Sequence, residues 1–208
     1  MGISFRRLLK LPRVLADIHL RLHKMNTEPI LKRLEASGVP DPGEWQRRDL
    51  IRMRESIQES GNDDFAPVVE WLEERWRVPE HPVVCHGDLH PFNLFEADGE
   101  ISTVLDWGNA RIEASELDVA TVTVIFRAGP IHIPRLLGPA FAAFIRYITW
   151  RYTRLYARGR QLDRERFDYY RVLRSMQALV FREEAFSGAR SQRELRAIVR
   201  EVTALRIQ

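Results

Sequence analysis

Apolar residues recur at helical spacing near the start of the chain. Leu8, Leu9, Leu11, Val14, Leu15, Ile18 and Leu22 fall within the stretch from Phe5 to Met25 and predict an amphipathic helix. Residues 36–44, ASGVPDPGE, replace that pattern with turn formers and read as a loop. Helical spacing resumes from Trp45 to Glu59, and after the turn signal Gly61-Asn62-Asp63-Asp64 it runs on to Trp76. Pro79 and Pro82 then punctuate the chain. From Val83 to Asp106 the pattern is different. Val83–Cys85 and Ile101–Leu105 are short β-branched runs, separated by a loop and the Asp98-Gly99 turn, and predict strands. Helical spacing returns after Glu116, over Leu117–Phe126, Pro134–Arg158, Asp163–Glu184 and Ser191–Leu205. There is no internal repeat and no low-complexity tract. The expected fold is α+β and predominantly helical, with one small β-insertion in which the polar chemistry is concentrated.

Length and composition narrow this picture. A chain of 208 residues holds one domain with a sizeable core. Its 45% hydrophobic and 29% charged residues are ordinary for a globular protein. No run reaches the roughly 18 to 20 apolar residues of a membrane-spanning helix. The basic, amphipathic start from Met1 to Leu22 lacks a small-residue cleavage site and reads as an ordinary helix, not a targeting segment. The single cysteine, Cys85, excludes an intramolecular disulfide and fits a reducing, cytoplasmic compartment. Its apolar neighbours predict a buried, inert thiol. The net charge of +3 is uneven, with 14 arginines against 7 acidic residues from Trp150 onward. Because acids are interleaved with those arginines at helical spacing, a solvated helix surface is expected there. Zinc-finger spacing and aromatic-basic RNA motifs are lacking. Neither nucleic acid nor membrane is expected as a partner.

The chemistry lies between residues 86 and 108. His86-Gly87-Asp88-Leu89-His90-Pro91-Phe92-Asn93-Leu94 is followed, 12 residues after Leu94, by Asp106-Trp107-Gly108. Phosphoryl transfer needs one carboxylate beside the attacking hydroxyl and a few oxygen ligands for a magnesium ion that bridges the phosphates. Asp88 suits the first task, and Asn93 and Asp106 the second. His19 and His23 sit four apart on one helix face, as two metal ligands would. Leu20 stands where a zinc protease has its glutamate, so packing or surface histidines are expected.

His86-Gly87-Asp88, four residues, Asn93, and then Leu105-Asp106-Trp107-Gly108 resemble the aminoglycoside phosphotransferase and choline kinase group, relatives of the protein kinases. Leu15-Ala16-Asp17-Ile18-His19 fits the Leu-Ala-x-x-His helix that precedes the catalytic loop in this group, and Asp118-Val119-Ala120 fits the element after the metal aspartate. The resemblance covers about residues 10–125 by motif. It implies the C-terminal lobe of a protein-kinase-like fold over residues 1–208, with the catalytic loop on the β-insertion. It also implies transfer of the γ-phosphate of ATP to a small-molecule hydroxyl. Asp88 would be the base and His86 would orient the catalytic loop, while Asn93 and Asp106 would bind Mg2+ and, through it, the nucleotide. Asp118 would be structural, accepting main-chain hydrogen bonds from the loop. Gly87 and Gly108 would permit tight turns where a side chain would obstruct.

The group also has a strand-rich N-terminal lobe with a phosphate-covering loop and a lysine on a strand. Residues 1–82 read as helix and loop, and Lys10, Lys24 and Lys32 all lie in helical or loop contexts. Three explanations follow: a fragment of a longer reading frame, a split enzyme whose other lobe is a separate chain, or a degenerate relative. The first is favoured, because the helix from Phe5 begins abruptly. Two other classes of function stand beside the kinase reading. One is a metal-dependent hydrolase using His86, Asp88 and His90, which alternate and would share one face of a strand. The other is a binding module that keeps the cleft without the reaction. Glu113, Glu116, Tyr147 and Trp150 are weak candidates for substrate contact.

Overall fold

A computed structural model describes residues 5–38, 42–97, 99–130, 138–205 and 207. The opening apolar stripe forms helix α1, Phe5–Leu22, which runs through Pro12 without ending. Helix α2, Glu28–Ala36, lies within a stretch for which no element was expected, and it buries no residue. Helix α3, Pro42–Ser60, begins inside the expected loop, whose residues 39–41 lie outside the described ones. Asp63–Phe65 makes a single 3-10 turn before helix α4, Ala66–Arg75.

Strand β1, Val83–Cys85, is where the β-branched run placed it. Strand β3, Glu100–Val104, is displaced by one residue from the expected Ile101–Leu105. Two further strands accompany them: β2, Leu94–Ala97, and β4, Arg111–Glu113. The four make two antiparallel ribbons, β1 with β4 and β2 with β3. Val83 faces Glu113 and Cys85 faces Arg111 in the first; Leu94 faces Val104 in the second.

The remaining chain is helical: α5, Glu116–Ala128; α6, Gly138–Gly159; α7, Arg164–Val180; and α8, Ala189–Thr203. Residues 134–137 of the helix expected from Pro134, and His132, lie outside the described residues. Helix α7 stops four residues before the expected Glu184, where Arg182 takes a left-handed backbone (φ 50°). Helix α5 is apolar almost all round, as a helix buried on every side must be. It packs against α6, α7 and α8, while α1 lies along α6 and α3 along α7. One core joins these helices to β1 through Cys85, Leu89, Leu117 and Val119. The ribbons therefore emerge from a helical base, and the loop after β1 meets the end of β3 at Leu105.

Candidate active site

β1 ends at Cys85, and the next three residues are His86, Gly87 and Asp88. Gly87 has φ +78°, and a Cβ there would collide with the main-chain carbonyl of Asn109, so the turn requires glycine. Gly108 differs from the expectation. A Cβ there would meet only the Asp106 carboxylate at an ordinary 3.5 Å. The left-handed turn is taken instead by Asp106 itself (φ 60°, ψ 67°), a residue type whose short polar side chain tolerates that region.

His86 ties the two motifs together. Its ring is fully buried against Trp107, with centroids 4.8 Å apart. Nε2 lies 3.0 Å from the Leu105 carbonyl, which can only accept, so Nε2 carries the proton. Nδ1 is then the acceptor for the Asp88 main-chain N–H at 3.2 Å. One imidazole thus fixes the backbone at Asp88 relative to the residue before Asp106. Asn93 adds a second tie. Its side-chain amide donates to the Asp88 carbonyl at 2.9 Å, and its own carbonyl accepts from Leu105 N at 2.8 Å. Asn93 is buried, Asp88 half-buried and Asp106 exposed. These ties bring Asp88 and Asn93 to Leu105, the residue before Asp106, close enough for the Asp106 charge to act on Asp88. Burial pushes the Asp88 carboxyl above its ordinary range, opposed by His90 and Arg174 and reinforced by the charge of Asp106.

The donor set suits a hard cation. Because Nδ2 of Asn93 is spent on the Asp88 carbonyl, Oδ1 is the atom the amide has to offer, beside the carboxylate of Asp106. The alternative trio does not gather a transition metal. Both ring nitrogens of His86 are engaged, and His90 Nδ1 accepts from Phe92 N at 3.3 Å.

Beneath the loop sits Asp118, fully buried at the start of α5. Its Oδ1 accepts from Gly87 N at 2.7 Å and its Oδ2 from His86 N at 2.9 Å. Burial pulls this carboxyl up, but His19, His23 and the Gly87 N–H outweigh it and hold it well below the usual range. Of the two roles expected for His19 and His23, packing and surface, the structure has the first, with partners that were not foreseen: Tyr152 and Tyr156 of α6. Among the described residues, His23, Cys85 and Asp118 bring donor atoms within 4.8 Å of one another. Those atoms already bond to protein: the Cys85 thiol donates to the Ala114 carbonyl at 3.4 Å, and burial raises its pKa well above the ordinary thiol value.

Glu113 and Glu116 do not face a cleft. Both are buried, Glu113 on the Ala114 N–H and Glu116 on the Asp163 N–H and the Ser115 hydroxyl. Tyr147 and Trp150 are exposed on α6, where Arg151 donates to the Tyr147 hydroxyl and Arg154 lies over the Trp150 ring. Sequence reasoning missed a polar cluster behind the loop. In it Asp49 accepts from Arg111 at 3.1 Å and from Gln177 at 2.9 Å, joining α3, β4 and α7. No periodic signal marks residues brought together only by tertiary packing.

The loop after β1 is thus a glycine turn carrying Asp88, tied through His86 and Asn93 to Leu105, with Asp106 following on a left-handed turn. The chain matches the model of the phosphotransferase enzyme family (APH) over residues 3–162, more than half its length, and belongs to that family. It is the family that the motifs resemble, and with it goes the fold expected from them, a predominantly helical C-terminal lobe. Among solved structures the chain is similar to macrolide 2'-phosphotransferase MphH from Brachybacterium faecium, in its apoenzyme form. The two share 20% identity at a TM-score of 0.43, over 92% of this chain and 60% of that one. The chain thus spans 60% of the length of that structure. No curated protein matches the chain.

Proposed function

We propose that this chain is the catalytic-loop lobe of a small-molecule kinase, transferring the γ-phosphate of ATP to a hydroxyl with Asp88 as base. The observation that carries this reading is the double tie of Asn93. Its amide holds the Asp88 carbonyl and its main chain holds Leu105, so base and cation ligands are set by one small hydrogen-bonded unit. Asn93 and Asp106 would hold Mg2+, which supplies charge neutralisation at the phosphates when bound. Asp88 accepts the proton of the incoming hydroxyl, and His86 keeps the loop in place for it. The buried single thiol accords with a cytoplasmic protein.

Beside this site Phe92, Phe95, Leu105 and Trp107 are 82%, 59%, 45% and 45% exposed. Large apolar side chains held open around polar chemistry favour a cover over the nucleotide. We propose a strand-rich lobe in that position; the described residues between 5 and 75, helical wherever they have regular structure, do not supply it. A non-catalytic module remains the second reading, since a site without its cover can bind without reacting.

Calorimetric titration with ATP, in Mg2+ and in EDTA, tests the assignment. The unmodified chain should bind ATP at least about tenfold more tightly with Mg2+, and Asp106→Asn should remove that difference. Equal binding in EDTA, or stoichiometric tightly held zinc, would overturn it. Assayed by itself against a panel of hydroxyl compounds, the chain should turn over far below about 1 s⁻¹, the low end for kinases. Turnover near that value would rule out the need for a second lobe.

A further inference from the structure

Acids interleave with arginines along α7 and α8, but not along α6. From Gly138 to Gly159 that helix carries Arg146, Arg151, Arg154 and Arg158 and neither an acidic residue nor a lysine. Its inner face is marked by Ile145, Ile148, Tyr152 and Tyr156, all buried. Helical spacing puts Arg146, Trp150, Arg154 and Arg158, each four residues after the last, in one stripe along the outer face, with Tyr147 and Arg151 beside it. The stripe is about 18 Å long at the helical rise per residue. All six residues are exposed, Trp150 by 54% and Tyr147 by 39%. Away from the catalytic loop these two are the exposed aromatic side chains among the described residues.

The arginines set this face apart. On α7, Arg164 and Arg171 meet Asp168, and Arg174 meets Glu183. On α6, Arg151 donates to the Tyr147 hydroxyl at 3.0 Å and Arg154 lies 5.4 Å over the Trp150 ring, and among the described residues none of the four arginines meets a carboxylate. Four positive charges are thus left without acids on one exposed face. Such a face complements a plane of phosphate groups, to which guanidinium forks bind well. Trp and Tyr, each with an apolar ring body and a polar tip, favour the headgroup layer of a bilayer. A nucleic acid would satisfy the charge too, but it uses aromatic side chains by stacking bases on open ring faces. Here Arg154 covers a face of Trp150, and the Tyr147 ring leans on it at 6.2 Å and 35°. The lipid surface is the better fit.

We infer that the outer face of α6 docks the protein on an anionic phospholipid surface, with Arg146, Arg154 and Arg158 on lipid phosphates and the Trp150 ring set among the headgroups. The helix lies on the bilayer and does not enter its core. Tyr152 and Tyr156, on the inner face, bond the histidines beneath the catalytic loop, and His23 in turn bonds Asp118. The loop therefore lies on the inner side of α6, away from the docked face. This docking is independent of the phosphotransfer reading and is tested without any assay of activity.

Vesicle co-sedimentation reads the docking directly. The unmodified chain should pellet with phosphatidylcholine vesicles that contain about 30% phosphatidylglycerol, and not with phosphatidylcholine alone. Raising the salt to about 1 M should release it. Arg146→Gln, Arg154→Gln and Arg158→Gln together should weaken partitioning at least about fiftyfold, at about fivefold for each charge. The same loss of charge at Arg47, Arg193 and Arg200, exposed on α3 and α8, should cost less than about threefold. All six sites are exposed, so both variants should keep the urea midpoint of the unmodified chain. Independently of these variants, brominated phosphatidylglycerol should quench tryptophan emission in the unmodified chain and not in Trp150→Phe. Absence of vesicle binding, including the case in which the stripe binds single-stranded RNA instead, would overturn the inference. So would equal losses in the two triple variants, or quenching that persists in Trp150→Phe.

Discussion

His19 shows how far a single buried side chain can be pushed by its surroundings. Burial lowers its pKa from 6.5 to about 4, against the attraction of Asp118. The folded chain therefore takes up that proton only near pH 4, whereas the unfolded chain takes it up near 6.5, so acid favours unfolding. Stability should be whole above pH 6.5, fall as pH drops, and have lost about 3 kcal/mol from this group once pH passes below its folded pKa. Urea unfolding across this range should show the slope, and His19→Gln should flatten it; an unaltered slope in that variant would assign the effect elsewhere. At the same scale, the roles proposed for Asp88, Asn93 and Asp106 rest on residue type and spacing, because phosphoryl transfer demands few groups in a fixed order. The tie made by His86 between Asp88 N and Leu105 O was expected only as an orienting role, since a ring nitrogen's partner is set by folding.

Arg190 is the clearest case of one element stabilising the end of another. From α8 it donates to the Arg127 and Gly129 carbonyls, which close the C-terminus of α5. Carbonyls at a helix end have no partner within the helix, so this fork satisfies what the chain leaves open. Arg190→Ala should lower stability by about 1 to 2 kcal/mol, read as a shifted urea midpoint at constant slope. Lysine, with a point charge in place of a fork, should restore less than half. Helices were legible where apolar positions mark one buried face, as in α1 and α7, or burial nearly all round, as in α5. Helix α2 buries nothing, so its apolar positions report no core. β4 is three residues long and exists through pairing with β1, which no local pattern encodes. β2 was hidden for a related reason: Phe95, Glu96 and Ala97 are exposed, so no alternation marks it.

Across the whole molecule the uneven charge has a structural account. Arg164 and Arg171 pair with Asp168, Arg174 pairs with Glu183, and Arg127 reaches Glu194 and Glu201 on α8. Arginines of the basic C-terminal third thus pair with acids of their own helix or of the turn after it, and Arg164 is mostly exposed, in keeping with the solvated helix surface expected from interleaved acids. No described helix is long and apolar enough to cross a membrane. What distinguishes the molecule is an asymmetric build, a helical base with buried polar ties on one side and open aromatic side chains around the loop on the other. The proposed function sets the work of Asp88, Asn93 and Asp106 on that open side. The most direct test replaces Mg2+ by paramagnetic Mn2+ with ATP and follows the amide spectrum. Broadening should be greatest at Asp88, Asn93 and Asp106 and should vanish in Asp106→Asn; broadening centred elsewhere, or persisting in that variant, would contradict the account.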